Sequence, residues 1–189
     1  MLNRNYLCLH HSDIPGEAPQ YDRIREYHHR GAPNKAGKKK WPAGYGCQYA
    51  FVIEKSGEII QANEESRITW HAGTFYWNQR SIAVCLAGSF PKEKPTDHQL
   101  KALASLYNVL SKRWGIIPDN VLNHRDVRKT DCPGINLKEL LFIWRNKMIE
   151  EKIDHLKIVI SRTEPPRKNA LLRLLQRLNH IIIPSPSLP

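Results

Sequence analysis

Ser81-Ile82-Ala83-Val84-Cys85-Leu86-Ala87, closed by Gly88, is the stretch on which the fold turns. A half-exposed strand would alternate apolar and polar side chains. This one is continuously apolar after its first residue, as expected of a strand covered on both faces, and such strands lie in sheets sandwiched between helices. Working outward, Tyr6 to His10 reads as a second short buried strand, ending in His10-His11-Ser12. Gln48 to Glu54 and Glu58 to Ala62 flank Lys55-Ser56-Gly57, a hairpin signal. Val121 to Asn123 adds a further short strand.

Helices fall between these strands. Tyr21 to Arg30 predicts one, with Tyr21, Ile24 and Tyr27 or His28 on a shared face and Gly31 as its stop. Thr96-Asp97-His98-Gln99 has the form of a capping box, Thr at the N-cap and Gln three residues on. Behind it Leu100, Leu103, Tyr107, Leu110 and Trp114 recur at helical spacing until Gly115. Asn136 followed by Glu139 marks another helix start, with Leu137, Leu140, Leu141 and Trp144 as its buried face. This order implies an α/β domain built on a single mixed β-sheet flanked by helices.

The pattern becomes more charged after Met148, and Thr163-Glu164-Pro165-Pro166 breaks it. The domain is therefore read as residues 1–148. Residues 149–189 are read as a basic, helical C-terminal extension ending in a Pro/Ser tail. Within it, Asn169 to Ile183 mixes Leu171, Leu172, Leu174, Leu175 and Leu178 with Arg173 and Arg177. Such a helix either packs on the domain, which the density of leucines favours, or lies on an anionic wall polymer or membrane.

The 189 residues suffice for one ordinary domain with an extension, and the formal net charge is +11. A basic chain is drawn to polyanions, and composition alone does not choose among nucleic acid, anionic lipid and cell wall. No zinc-finger spacing or aromatic-plus-glycine nucleic-acid motif accompanies the charge, so specific nucleic-acid binding is not expected. Lys38-Lys39-Lys40 reads as a solvated loop face. The four cysteines, Cys8, Cys47, Cys85 and Cys132, form no C-x-x-C pair, which argues against a zinc ribbon or disulfide scaffold. Cys8 and Cys85 sit in apolar runs as reduced core residues, whereas Cys132 stands in a polar turn before Pro133-Gly134. No signal peptide or membrane span is legible, so synthesis in the cytoplasm is expected.

A catalytic zinc takes about three protein ligands and keeps one position open. Three stretches offer ligands at the ends of ordered elements: His10-His11-Ser12, His124-Arg125-Asp126 and Cys132-Pro133-Gly134. Neighbouring residues on a strand point to opposite faces, so one of His10 and His11 faces the site, and alternation alone does not say which.

Taken in order, His10-His11-Ser12, Tyr49-Ala50-Phe51-Val52-Ile53 with Gly57, His71-Ala72-Gly73, Asn78, Ser81-Ile82-Ala83-Val84, Asn123-His124-Arg125-Asp126 and Thr130-Asp131-Cys132-Pro133-Gly134 resemble the N-acetylmuramoyl-L-alanine amidase family. That family includes phage amidase-type lysozymes (endolysins) and peptidoglycan-recognition proteins, and the resemblance runs from about Tyr6 to Leu141. It implies Zn2+ held by His10, His124 and Cys132. It also implies Tyr49 beside the reacting water, Thr130 as a hydrogen-bond donor where phage enzymes often carry Lys, and His71 at the rim of the substrate cleft. The reaction implied is hydrolysis of the amide joining N-acetylmuramic acid to L-alanine in peptidoglycan.

Asp126 is read either as a hydrogen-bond acceptor behind His124 or as part of a local salt bridge with Arg125. His28, His29 and His98 are expected to cap or pack. The rivals to an amidase are a non-catalytic peptidoglycan-binding module and a zinc peptidase acting within the stem peptide. Binding-only relatives typically lack a zinc ligand, most often the Cys, and this chain retains the full set. The helical His-Glu-x-x-His signature of the common metalloproteases is absent. A monomer acting on the cell wall after release, or on cytosolic muropeptides, is the expected form.

Overall fold

The computed structural model describes residues 4–31, 46–165 and 167–179, apart from the side chains of Phe142, Ile143 and Met148. The Lys38–Lys40 loop and the end of the expected last helix lie outside these residues. Two compact units are formed, Met1–Lys138 and Glu139–Pro189.

The first unit is built on a five-stranded sheet in the order β3-β2-β4-β1-β5. Its strands are β1 (Tyr6–His11), β2 (Phe51–Ile53), β3 (Ile59–Gln61), β4 (Ser81–Leu86) and β5 (Val121–Asn123). β1 pairs in parallel with β4 and β5, β4 pairs in parallel with β2, and only the β2–β3 hairpin is antiparallel. The sheet is therefore mixed, as expected. β4 is buried at all six positions, which explains its unbroken apolar run: it sits inside the sheet and is covered on both faces.

Register places the chemistry. Partners across a parallel pair share a face, and successive residues alternate faces. Cys8 and His10 of β1 stand in register with Ala83 and Cys85 of β4, and Tyr6 with Ser81. Leu9 pairs with Asn123 at the end of β5. The next residue on each of these strands is His10 and His124, so the two rings come together 4.4 Å apart between centroids.

Helix α1 (Tyr21–His29) buries Ile24 and His28, while Tyr27 is 53 % exposed, so His28 completes the apolar face. Ile24 packs with Cys47, Val52 and Cys85, and with Tyr49 at its edge. The buried Glu54 carboxylate accepts from the Gln20 and Tyr21 amides and anchors the helix start. Helix α2 (Phe75–Arg80) leads directly into β4. Helix α3 (Asp97–Trp114) has the expected Thr96–Gln99 capping box and ends at Gly115, whose φ of 66° suits a left-handed C-cap. Its buried side chains are Gln99, Leu103, Leu106, Tyr107 and Leu110.

Helix α5 (Ile135–Ser161) starts where the Asn136 motif predicts and runs unbroken past Met148. Leu137 and Leu141 are buried, as are Ile149, Ile153, Leu156 and Ile160 farther along. The rise in charge after Met148 thus reflects the exposed faces of a continuing helix. In α6 (Arg167–Asn179) no described residue is buried: Leu172 and Leu174 are exposed, and Leu171, Leu175 and Leu178 are half-buried. Among the described residues, no helix is long and apolar enough to cross a membrane.

Candidate active site

β1 delivers His10, and β5 delivers His124 as the first residue of the single-turn helix α4 (His124–Val127). The loop after α4 then returns to the same place. The Arg125 amide donates to the Cys132 carbonyl at 2.9 Å, tying the two ends of that loop together. The ligand atoms of His10, His124 and Cys132 consequently lie within 4.8 Å of one another. Cys132 Sγ is 3.8 Å from His10 Nδ1. A tetrahedral zinc with bonds of about 2.0–2.3 Å spaces its donors by roughly 3.3–3.8 Å, so the trio matches the scale of one ion.

Two further observations fit a metal here. His124 Nε2 is buried with no hydrogen-bond partner. Burial holds both imidazoles below their usual range, His124 at about 4, with the neighbouring His124 and His71 depressing His10 further. Their ring lone pairs are therefore available at neutral pH. Cys132 runs the other way, since burial pushes its thiol to about 12, and a bound cation is what would stabilise the thiolate.

The ambiguity between His10 and His11 is resolved by the sheet. His10 and not His11 joins the trio, and His11, although it also lines the cavity, has its Nδ1 accepting from the Phe90 amide at 3.3 Å. Tyr49 packs its ring 5.0 Å from His10 and 5.1 Å from His28. Burial raises the pKa of its hydroxyl well above the usual tyrosine range, keeping it a neutral phenol. Thr130 Oγ1 accepts from the Cys132 amide at 3.3 Å, which leaves its own O–H free to donate. These groups share a cavity of about 820 Å³ with Trp70, Arg128 and Lys129 at its edge.

Two expectations need correction. His71 lines this cavity but is not at its rim: it is only 6 % exposed and stands behind His10, Nδ1 to Nε2 at 3.0 Å. Burial drops it to about 3. Asp126 neither backs His124 nor pairs with Arg125. Its carboxylate accepts from the Asn123 amide and side chain and closes a capping box on α4. Two residues with site roles were not singled out. His28 lines the cavity and accepts from the Gln48 amide through Nδ1. Ser81 contacts His71. For Ser81 the only signal was a polar residue opening an otherwise apolar strand.

The sequence profile of the N-acetylmuramoyl-L-alanine amidase family matches residues 2–135. The chain belongs to the N-acetylmuramoyl-L-alanine amidase family. It is similar to the human N-acetylmuramoyl-L-alanine amidase, 28 % identical over 176 residues that make up 87 % of this chain and 29 % of that protein. It is also similar to the Drosophila melanogaster peptidoglycan-recognition protein SC2, 28 % identical over 52 % of this chain and 53 % of that one. The chain thus spans under a third of the human relative and about half of the insect one. Among solved structures, the N-acetylmuramoyl-L-alanine amidase LysC from Clostridium intestinale superposes with a TM-score of 0.56 at 29 % identity, over 71 % of this chain and 78 % of that chain. The family contains both amidases and recognition proteins, so membership supports a role in cutting or binding peptidoglycan.

Proposed function

We propose that this chain is a zinc hydrolase that cleaves the amide between N-acetylmuramic acid and L-alanine in bacterial peptidoglycan. The observation that carries this reading is the convergence of His10, His124 and Cys132 donors within 4.8 Å on the wall of the cavity. The ligand set is complete, which favours cleavage over recognition alone.

Zinc held by these three side chains would supply Lewis acidity, lowering the pKa of water to about 7 and polarising the amide carbonyl. The rest is supplied by the chain's own groups. Tyr49, kept neutral by burial, is a donor able to orient the attacking water or return its proton. The free O–H of Thr130, fixed beside Cys132 by the backbone contact, is placed to donate to the oxygen on which charge develops. Arg128 and Lys129 at the cavity edge present positive charge to the carboxylates of a stem peptide. The four cations of α6, Arg167, Lys168, Arg173 and Arg177, with no acidic residue among them, favour contact with the anionic wall.

The test is digestion of purified peptidoglycan by zinc-loaded protein, with the new ends identified by mass spectrometry. Free peptides beginning at L-alanine, lost with chelator and in Cys132→Ala, are the expected result. Binding without cleavage would assign the chain to the recognition class, and cleavage inside the stem peptide would make it a peptidase.

A further inference from the structure

Behind the metal-ligand trio a chain of hydrogen bonds runs from His10 to the backbone, and its direction can be worked out from the far end. Ser81 Oγ lies 2.6 Å from the Trp77 carbonyl. A carbonyl only accepts, so the single Ser81 hydroxyl proton is committed there. Ser81 Oγ also lies 3.2 Å from His71 Nε2. With its own proton spent, Ser81 can only accept in this contact, so the hydrogen on His71 sits on Nε2. A neutral His71 then has a bare Nδ1, which faces His10 Nε2 at 3.0 Å. His10 must donate from Nε2, and its Nδ1, the atom 3.8 Å from Cys132 Sγ, is left as a lone pair pointing at the ligand cluster.

The supports of this chain are themselves buried. The loop carrying His71 is clamped on both sides, Trp70 by the side chain of Gln48 and Ala72 by that of Asn78. Arg4, almost fully buried, donates to the Ser81 carbonyl. The cluster Cys8–His10–His71, which also brings ligand-type atoms within 4.8 Å, is accounted for by the same arrangement. His71 Nδ1 is occupied by the His10 proton and Cys8 is a core thiol on the same strand face.

We propose that His71 and Ser81 are positioning residues that set the tautomer of His10, anchoring its proton on Nε2 through the Trp77 carbonyl so that Nδ1 is presented to the metal. This rests on the zinc reading for its purpose, but the tautomer itself is a property of the metal-free chain. Ligand histidines generally need such a partner for the other ring nitrogen, and losing it typically costs about 10- to 100-fold in metal affinity.

Two measurements test it. In metal-free protein labelled with 15N-histidine, long-range proton–nitrogen correlation at neutral pH should show both His10 and His71 protonated at Nε2. A His10 protonated at Nδ1 would overturn the proposal. In zinc titrations, Ser81→Ala and His71→Phe should bind about 10- to 100-fold more weakly than the wild type, while Ser81→Thr, which keeps the hydroxyl, restores affinity. Unchanged affinity in folded Ser81→Ala would also overturn it. If the wild type takes up no zinc, the hydrolase reading fails, and the nitrogen spectrum of the wild type still decides the relay.

Discussion

β1 with β4, and α6, place their side chains in opposite surroundings. On the two strands, polar groups are buried and each is given a partner: His10 meets His71, His11 meets the Phe90 amide, and Ser81 meets the Trp77 carbonyl. On α6 no described residue is buried: Leu172 and Leu174 are exposed, the other three leucines are half-buried, and four cations share the helix. Burying a polar atom is costly unless it is hydrogen-bonded or bound to a metal, so the strand residues are held in single geometries. The α6 side chains, none of them buried, face no such constraint. The difference separates a region that holds its atoms fixed from one that leaves its side chains accessible.

That contrast can be broken by experiment, starting where the largest effect is expected. Tyr49→Phe removes a hydroxyl on the fixed side and nothing from the ligand trio. Turnover of soluble muropeptide should fall by about 10²- to 10⁴-fold with zinc content unchanged, as metal analysis beside the kinetics would show. Full activity would remove Tyr49 from the chemistry.

Stability sharpens the same contrast. Leu9, fully buried in β1, should cost about 2–5 kcal/mol on replacement by Ala in denaturant unfolding. Leu174 on α6, 47 % exposed, should cost within about 0.5 kcal/mol. Comparable losses at the two positions would mean that α6 is covered in solution.

A third test uses acid. Burial holds His28 at about 4, against an ordinary 6.5, so the unfolded chain binds its proton more readily than the folded one. The stability tied to its neutral form is fully present above pH 6.5 and is lost as the pH falls towards 4, a loss on the order of 3 kcal/mol across that window. His28→Asn retains an acceptor for the Gln48 amide without a titrating ring. Its melting temperature should fall less steeply than the wild type's over the same range. Parallel pH profiles would mean that the acid lability arises elsewhere.

The smallest effect belongs to α6. Arg177→Gln should weaken retention on purified wall by roughly fivefold at low salt, about the 1 kcal/mol of one cation near an anionic surface, and by nothing measurable at high salt. Hydrolysis of soluble fragments should not change.

The elements were legible in the chain because their signals are local. The unbroken apolar run of β4, the Thr96–Gln99 box and the left-handed Gly115 all involve residues within a few positions of one another. The stretches that bring His10, His124 and Cys132 together were legible too, through the order of their motifs rather than through any geometry. Three things were decided only by the tertiary structure, each by a partner far away in sequence. His10 rather than His11 faces the ligand cluster because parallel pairing with β5 sets it beside His124, 114 positions on. His71 lies behind the site rather than at its rim because its ring is fitted between His10 and Ser81. Asp126, adjacent to the site in sequence, caps its own helix instead of supporting His124. A sequence names which donors and acceptors exist. Which donor meets which acceptor is settled only when packing leaves each buried group a single partner within reach.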